Sequence, residues 1–399
     1  MNLSNNLQKI ISNQMIYLKK DDESSFSLLN GNSGIYLLLF LSSKQYNQDI
    51  SEIQNHFIEE LSQTLNNPSN NFSDGMSGVG WMLQLLADEE IMDYEDVADV
   101  LEQIDEASYQ FALESFKENN HDFLYGAVGE MVYLLNRTKH NPNVKNYLTQ
   151  IADKLIVCSK TCKEGVYWNE SDFILEAHQK SEEVINLGLS HGQASKIVIF
   201  SKLIEQGINV RTNIKFLKDI IKFILSTQYK FNDETIFPSV IENDKGSNSS
   251  FWWSYGDLGI AIALWQAGNI LKDEKIKKEA ETIFLHYAFT KIEETGIYEA
   301  SLCRGTSGVA LMYHNMYIDT RIELFKEASD YWFNETLKLA KYEEGIGGYK
   351  FLNNYAENKE EWFYQTNPNL LMGSIGVGLS LLSRLSDKKL KWSECLLLN

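Results

Sequence analysis

Hydrophobic positions along this 399-residue chain fall into two alternating kinds of segment. The first kind is amphipathic. Leu3, Leu7, Ile10, Ile11 and Ile16 recur at helical spacing over 3–20. Ile53, Phe57, Ile58, Leu61 and Leu65 do the same over 49–66, and Leu217, Ile220, Ile221 and Ile224 over 211–229. One-sided stripes of this kind predict surface helices packed on a core. Further helices are predicted at 94–118, 142–162, 272–290 and 320–341, the first of them with a strongly acidic, solvated face. The second kind is apolar almost all round, as in Ile35–Phe40, Val309–Met312 and Val377–Leu382. Helices of that sort have to be buried.

Every apolar segment follows one turn pattern. It reads Gly31-Asn-Ser-Gly34, Gly75-Met-Ser-Gly78, Gly126-Ala-Val-Gly129, Gly192-Gln-Ala-Ser195, Gly256-Asp-Leu-Gly259, Gly305-Thr-Ser-Gly308 and Gly373-Ser-Ile-Gly376. Seven copies in one register are an internal repeat, each an outer helix, a turn and an inner helix. The first glycine is expected to take a positive φ at the sharp bend. The second falls on the same helix face and lets two helix starts approach closely. Seven buried helices ringed by seven amphipathic ones predict an all-α fold, a single-domain α/α toroid of seven hairpins over residues 1–399. All seven turns would then fall at one end. The residues just before them would gather at one mouth: Asp122, Tyr125, His191, Trp253, Ser254, Tyr255, Cys303 and Arg304.

Polar stretches punctuate the array. Lys19–Glu23 breaks the first helix and Asn66–Asn71 is a loop by composition. Long connectors run over 163–185, 230–250 and 342–366. Tyr167, Trp168, Phe173 and Ile174 predict that the first of these packs on the body, and the first and third are the places to look for a leader-peptide site. Cys158 and Cys162, four apart in the 142–162 helix, are expected to share a face as packed thiols. The apolar C-terminus, Trp392 to Asn399, is expected to dock.

Composition narrows the function. Lys plus Arg is 36 against 55 Asp plus Glu, a formal charge of −19. Such a chain is a poor ligand for nucleic-acid phosphates or an anionic membrane surface. Four cysteines do not make a disulfide framework at this length. The N-terminal residues lack the basic start and apolar stretch of a secretory signal. The longest apolar run, Ile35–Leu41, is too short to span a bilayer. A cytoplasmic protein without membrane insertion is expected.

Four turn sequences carry a resemblance. Asn186-Leu-Gly-Leu-Ser-His-Gly192, Trp253-Ser-Tyr-Gly-Asp-Leu-Gly259, Leu302-Cys-Arg-Gly-Thr-Ser-Gly308 and Leu370-Leu-Met-Gly373 resemble the lanthionine synthetase C-like family, over essentially the whole chain. That resemblance implies the toroid, and an enzyme of lanthipeptide (lantibiotic) biosynthesis. Such cyclases join a peptide cysteine thiol to dehydroalanine or dehydrobutyrine, forming a thioether ring by Michael addition. It implies a dehydrated precursor peptide as substrate and a dehydratase as partner.

The family's zinc is held by two cysteines and a histidine, written Trp-Cys-Tyr-Gly and Cys-His-Gly. Here the first cysteine position is Ser254, the second is Cys303, and the histidine position is Arg304. No bound zinc is therefore expected. What stays is Asp122, His191, Trp253 and Tyr255. His191 is expected as the acid/base group, Asp122 as its partner, and Arg304 as a fixed cation replacing the metal in thiol activation. Tyr255 stands with this catalytic set, and Trp253 and Tyr125 shape the pocket. Two other readings stay open. One is an inactive member that holds the peptide and scaffolds a dehydratase. The other is a glycosidase built on paired carboxylates, drawn from Asp122, Asp257 and Asp74.

Overall fold

A computed structural model describes all residues except 1, 19–24, 66–68, 178–182, 230–234, 244, 354–360 and 387. The expected break at Lys19–Glu23 and the first part of the 66–71 loop lie outside the described residues. In chain order the helices and strands begin α1 (Leu3–Leu18), α2 (Asn32–Tyr46), α3 (Ser51–Thr64), α4 (Met76–Asp88), α5 (Tyr94–Lys117), α6 (Ala127–Arg137) and α7 (Val144–Val157). Then come β1 (Lys160–Cys162), β2 (Gly165–Tyr167), α8 (Asp172–Ala177), β3 (Val184–Asn186), α9 (Gln193–Glu205), α10 (Val210–Ser226), β4 (Pro238–Glu242) and β5 (Lys245–Asn248). The chain ends with α11 (Asp257–Leu271), α12 (Glu274–Tyr287), α13 (Thr306–Thr320), α14 (Glu323–Lys338), β6 (Phe351–Asn353), β7 (Phe363–Gln365) and α15 (Ser374–Ser386).

Each glycine turn is followed by a helix buried on nearly every face. In α11 the run Asp257–Trp265 is buried throughout, whereas α10 buries only a stripe centred on Leu217, Ile220, Ile221 and Ile224. The expected alternation therefore holds through all seven repeats. Among the described residues no helix is long and apolar enough to cross a membrane.

The turns differ from expectation in one respect. Gly31, Gly126 and Gly192 cap their helices with φ of −135°, −139° and −105°, so none is left-handed. Glycine is required there by crowding. A Cβ on Gly192 would lie 2.3 Å from the carbonyl oxygen of Asn186, six residues earlier. The second glycine repeats this geometry: a Cβ on Gly308 would meet the Leu302 carbonyl oxygen at 1.9 Å. The turn thus folds back on its own backbone, a close approach that only a residue without a side chain permits. Neighbouring turns are stitched together by backbone hydrogen bonds. Ser73 N–H donates to Leu124 O at 2.9 Å, Ser190 N–H to Ser254 O at 3.2 Å, Cys303 N–H to Leu371 O at 3.0 Å, and Leu370 N–H to Leu29 O at 3.0 Å.

By contact the chain divides into two compact units. One holds residues 1–69 and 288–391, where α13, α15 and α2 pack in series and α1 lies on α15. The other holds 70–287 and 392–399, where α4, α6, α9 and α11 pack in series, backed by α5, α7, α10 and α12. In this second unit the C-terminal segment docks as expected: Trp392, Cys395 and Leu396 are buried.

Connectors carry the strands. β1 and β2 form a hairpin whose turn ends on Gly165, at φ +142°. This corrects the reading of Cys158 and Cys162 as one helix face. α7 stops at Val157, Cys158 caps it, and Cys162 lies in β1. Trp168 follows the hairpin into the core and bonds Leu155 O through its indole N–H at 2.9 Å. β3, β4 and β5 make an antiparallel sheet in that order.

Candidate functional site

The turn before α6 contributes Asp122. Its Oδ1 accepts the backbone N–H groups of Leu124 at 2.7 Å and Tyr125 at 2.9 Å, which fixes the carboxylate on its own turn. The other oxygen, Oδ2, lies 2.7 Å from Nδ1 of His191 in the turn before α9. Burial works against a proton on His191, but the Asp122 carboxylate overrides it and raises the imidazole above its ordinary range. Burial also pushes Asp122 up, yet His191, Lys196 and the backbone donors hold it below the usual carboxylate range. Tyr125 stacks near the imidazole, with ring centroids 6.3 Å apart, and Tyr255 lies on another side at 5.8 Å. The structure therefore assembles Asp122, His191, Tyr125 and Tyr255.

Three further ionisable groups belong to this cluster, and the sequence reading missed them. Lys196, in the first turn of α9, is fully buried and donates from Nζ to the carbonyl oxygen of His191 at 3.1 Å. Burial lowers its pKa to about 8, with Asp122 and Glu170 opposing. Glu170 is pushed up to about 7 by burial, against the Asn186 amide that holds its Oε2 at 2.9 Å. His121 is pushed down to about 3 by burial, with Lys196 adding to it. One signal was available in the sequence: a lysine inside the apolar run Ala194–Phe200, where a charge is out of place. Nothing in the connector singled out Glu170.

Other expectations need correction. Trp253, expected to line the pocket, is 0% exposed and bonds Leu396 O through its indole N–H at 3.0 Å, so it is core. Asp257 accepts the backbone N–H groups of Ile236 and Phe237 and the hydroxyl of Tyr287, and so ties α11 to its surroundings. Three such donors leave it a structural carboxylate, not half of a glycosidase pair.

In the other unit Cys303 is part-exposed and Arg304 is committed. The guanidinium donates from Nε to Glu299 Oε1 at 3.1 Å and from a terminal nitrogen to Leu352 O at 2.8 Å. Glu299 is buried and also accepts from Ser301 Oγ and Leu352 N–H. The expected free cation for an incoming thiol is thus neutralised by a carboxylate. Its work is to fasten β6 to the sixth turn.

The chain has the α/α toroid fold. It superimposes on the solved structure of nisin cyclase with a TM-score of 0.72, covering 100% of this chain and 98% of that one at 21% identity. The family profile of the lanthionine synthetase C-like proteins matches residues 22–397. The chain belongs to that family. No curated protein sequence matches it significantly.

The family's zinc does not suit the residues present. Ser254 offers a hydroxyl, Cys303 one thiolate, and Arg304 no lone pair at all. Zinc takes at least three N, S or O donors from protein. Among the described residues no three His, Cys, Asp or Glu side chains are grouped to hold a metal ion.

Proposed function

We propose that the protein is a lanthipeptide cyclase-like enzyme that works without zinc. It adds a cysteine thiol of a dehydrated precursor peptide to dehydroalanine or dehydrobutyrine, and a dehydratase supplies that precursor. The observation that supports this reading is the buried His191–Asp122 pair, 2.7 Å apart. With Nδ1 directed at the carboxylate, Nε2 is the basic nitrogen. It takes the proton from the thiol, whose ordinary pKa of ~8.5 lies close enough for transfer. The sulfur electron pair forms the bond to Cβ, and the alkene pair moves onto the carbonyl as an enolate. The imidazolium then returns its proton to Cα, so no proton is lost or gained overall. Acid/base groups of this kind contribute about 10²- to 10⁴-fold.

The test is thiol disappearance in a dehydrated precursor, read by alkylation and mass spectrometry in buffer containing a chelator. Wild type is expected to accelerate ring closure and His191→Ala to lose about 10²-fold or more of it. No acceleration by wild type overturns the reading.

The Arg304–Glu299 pair favours a second reading, an inactive member that holds the peptide for a dehydratase. Saturable precursor binding unaffected by His191→Ala, with no ring closure, would select it.

A further inference from the structure

Two cavities meet at Glu170. The first, of about 330 Å³, is lined by His121, Lys160, Glu170, Asp172, Leu175 and Glu183 among others. The second, of about 220 Å³, is lined by Glu170, Ile174, Leu175, Val184, Val240 and Tyr255 among others. Glu170 and Leu175 are common to both, so the cavities are neighbours along α8 and β3. Tyr255 also stands 5.8 Å from His191, so the second cavity abuts the acid/base pair.

The first cavity is acidic. Among the described lining residues Glu170, Asp172 and Glu183 outnumber the one ammonium, Lys160, which is already paired with Glu183 at 2.5 Å, while Lys196 and His191 also act on Glu170 from the neighbouring cluster. Two deeply buried polar atoms on its lining residues lack a partner, Oε1 of Glu170 and Nδ1 of His121. Glu170 is 6% exposed and His121 3%. Unpaired buried groups of this kind are costly unless a ligand or water meets them. Burial keeps His121 neutral, so it does not compete as a cation. The second cavity is walled mainly by Ile174, Leu175, Val184 and Val240, which suits an apolar side chain.

We propose that the two cavities form one peptide subsite, which seats a lysine or arginine side chain against Glu170 and an adjacent apolar side chain against Ile174 and Leu175. A lysine ammonium brings three donors and a charge, which the acidic chamber can meet where a neutral chain cannot. This assignment rests on the reading of the protein as a peptide-binding enzyme. It places the charged residue of the substrate a short distance from the reacting thiol and selects which stretch of the precursor reaches His191.

The experiment needs no turnover. Binding of N-acetyl-Leu-Lys-amide and of its neutral counterpart N-acetyl-Leu-norleucine-amide is measured by calorimetry at physiological ionic strength. Wild type is expected to bind the lysine peptide at least tenfold tighter. Glu170→Gln, nearly isosteric, is expected to abolish that preference. Glu102→Gln, on the exposed face of α5, is expected to leave it intact and so exclude bulk charge attraction. Because Cys158 also lines the first cavity, the lysine peptide is expected to slow its alkylation in wild type several-fold, a readout independent of any variant's folding. Equal affinity for the two peptides, an equal loss in Glu102→Gln, or unprotected Cys158 would each overturn the subsite. Specific peptide binding without ring closure would sink the cyclase reading and leave the subsite standing. Ring closure with binding unchanged in Glu170→Gln would do the reverse.

Discussion

Lys196 Nζ donates a hydrogen bond to the carbonyl oxygen of His191 at 3.1 Å, so a buried ammonium is tied to the turn that carries His191, whose imidazole faces Asp122. A positive charge there opposes protonation of the imidazole and favours ionised Asp122. Lys196→Met is therefore expected to raise the titration midpoints of both His191 and Asp122. Proton–carbon NMR of labelled histidine reads the first directly. An unmoved midpoint would show that the ammonium does not act on the pair.

The Asp122 carboxylate acts on His191 in the opposite sense, and Asp122→Asn separates charge from shape. The amide oxygen can still accept from Leu124 and Tyr125, as Oδ1 does now. The negative charge beside Nδ1 is gone. The His191 midpoint is expected to move down, and thioether formation to fall by about 10²- to 10⁴-fold, with peptide affinity nearly unchanged. A matched loss of affinity and rate would place Asp122 in binding instead.

The pH profile follows from the same shift. In the proposed mechanism His191 is neutral when it accepts the thiol proton, and its pKa is raised above 6.5. Thioether formation is expected to decline as pH falls through that raised value and to plateau above it. Stability runs the other way for this group. What the His191–Asp122 contact contributes through the raised imidazole is complete below pH 6.5 and is lost as pH rises through the folded value. Stopped assays across pH 5 to 9, beside thermal melts, separate the two curves.

Glu130 offers a control in the core. It is buried between α4 and α6, accepts from Ser77 Oγ at 3.0 Å, and is pushed up to about 8 by burial. A raised carboxyl pKa means that stability declines as pH climbs from the unfolded value of about 4.5 toward 8. Glu130→Gln is expected to match wild type near pH 4 and to exceed it above pH 8, by on the order of 5 kcal/mol. Denaturant melts at the two pH values check this, and parallel curves would refute it.

Arg304 discriminates between two roles. If it fastens β6 through Glu299, Arg304→Met costs about 2–3 kcal/mol by leaving a buried carboxylate short of its cation. Adding Glu299→Gln should then recover part of that loss. Ring closure should fall less than tenfold. A loss of 10²-fold with unchanged stability would reinstate the guanidinium as thiol activator.

Much of this was legible in the sequence. Seven glycine turns and seven amphipathic stripes located the helices to within a few residues, except that the one expected over 142–162 ends at Val157 and gives way to β1, because helical periodicity and the crowding at each turn are local. The positions of Asp122 and His191, each just ahead of a turn, were legible for the same reason. Lys196 showed only as a charge out of place, while Glu170 and Glu299 gave no sign. Their roles depend on partners far along the chain, such as Asn186 for Glu170 and Leu352 for Glu299.

The chain by itself thus determined its repeat and its helices, since both are written in residue type and spacing. Only the tertiary structure decided which charges are buried, which are paired and which still lack a partner. Ionisation responds to burial and to neighbours brought together by folding, and neither is a property of sequence distance.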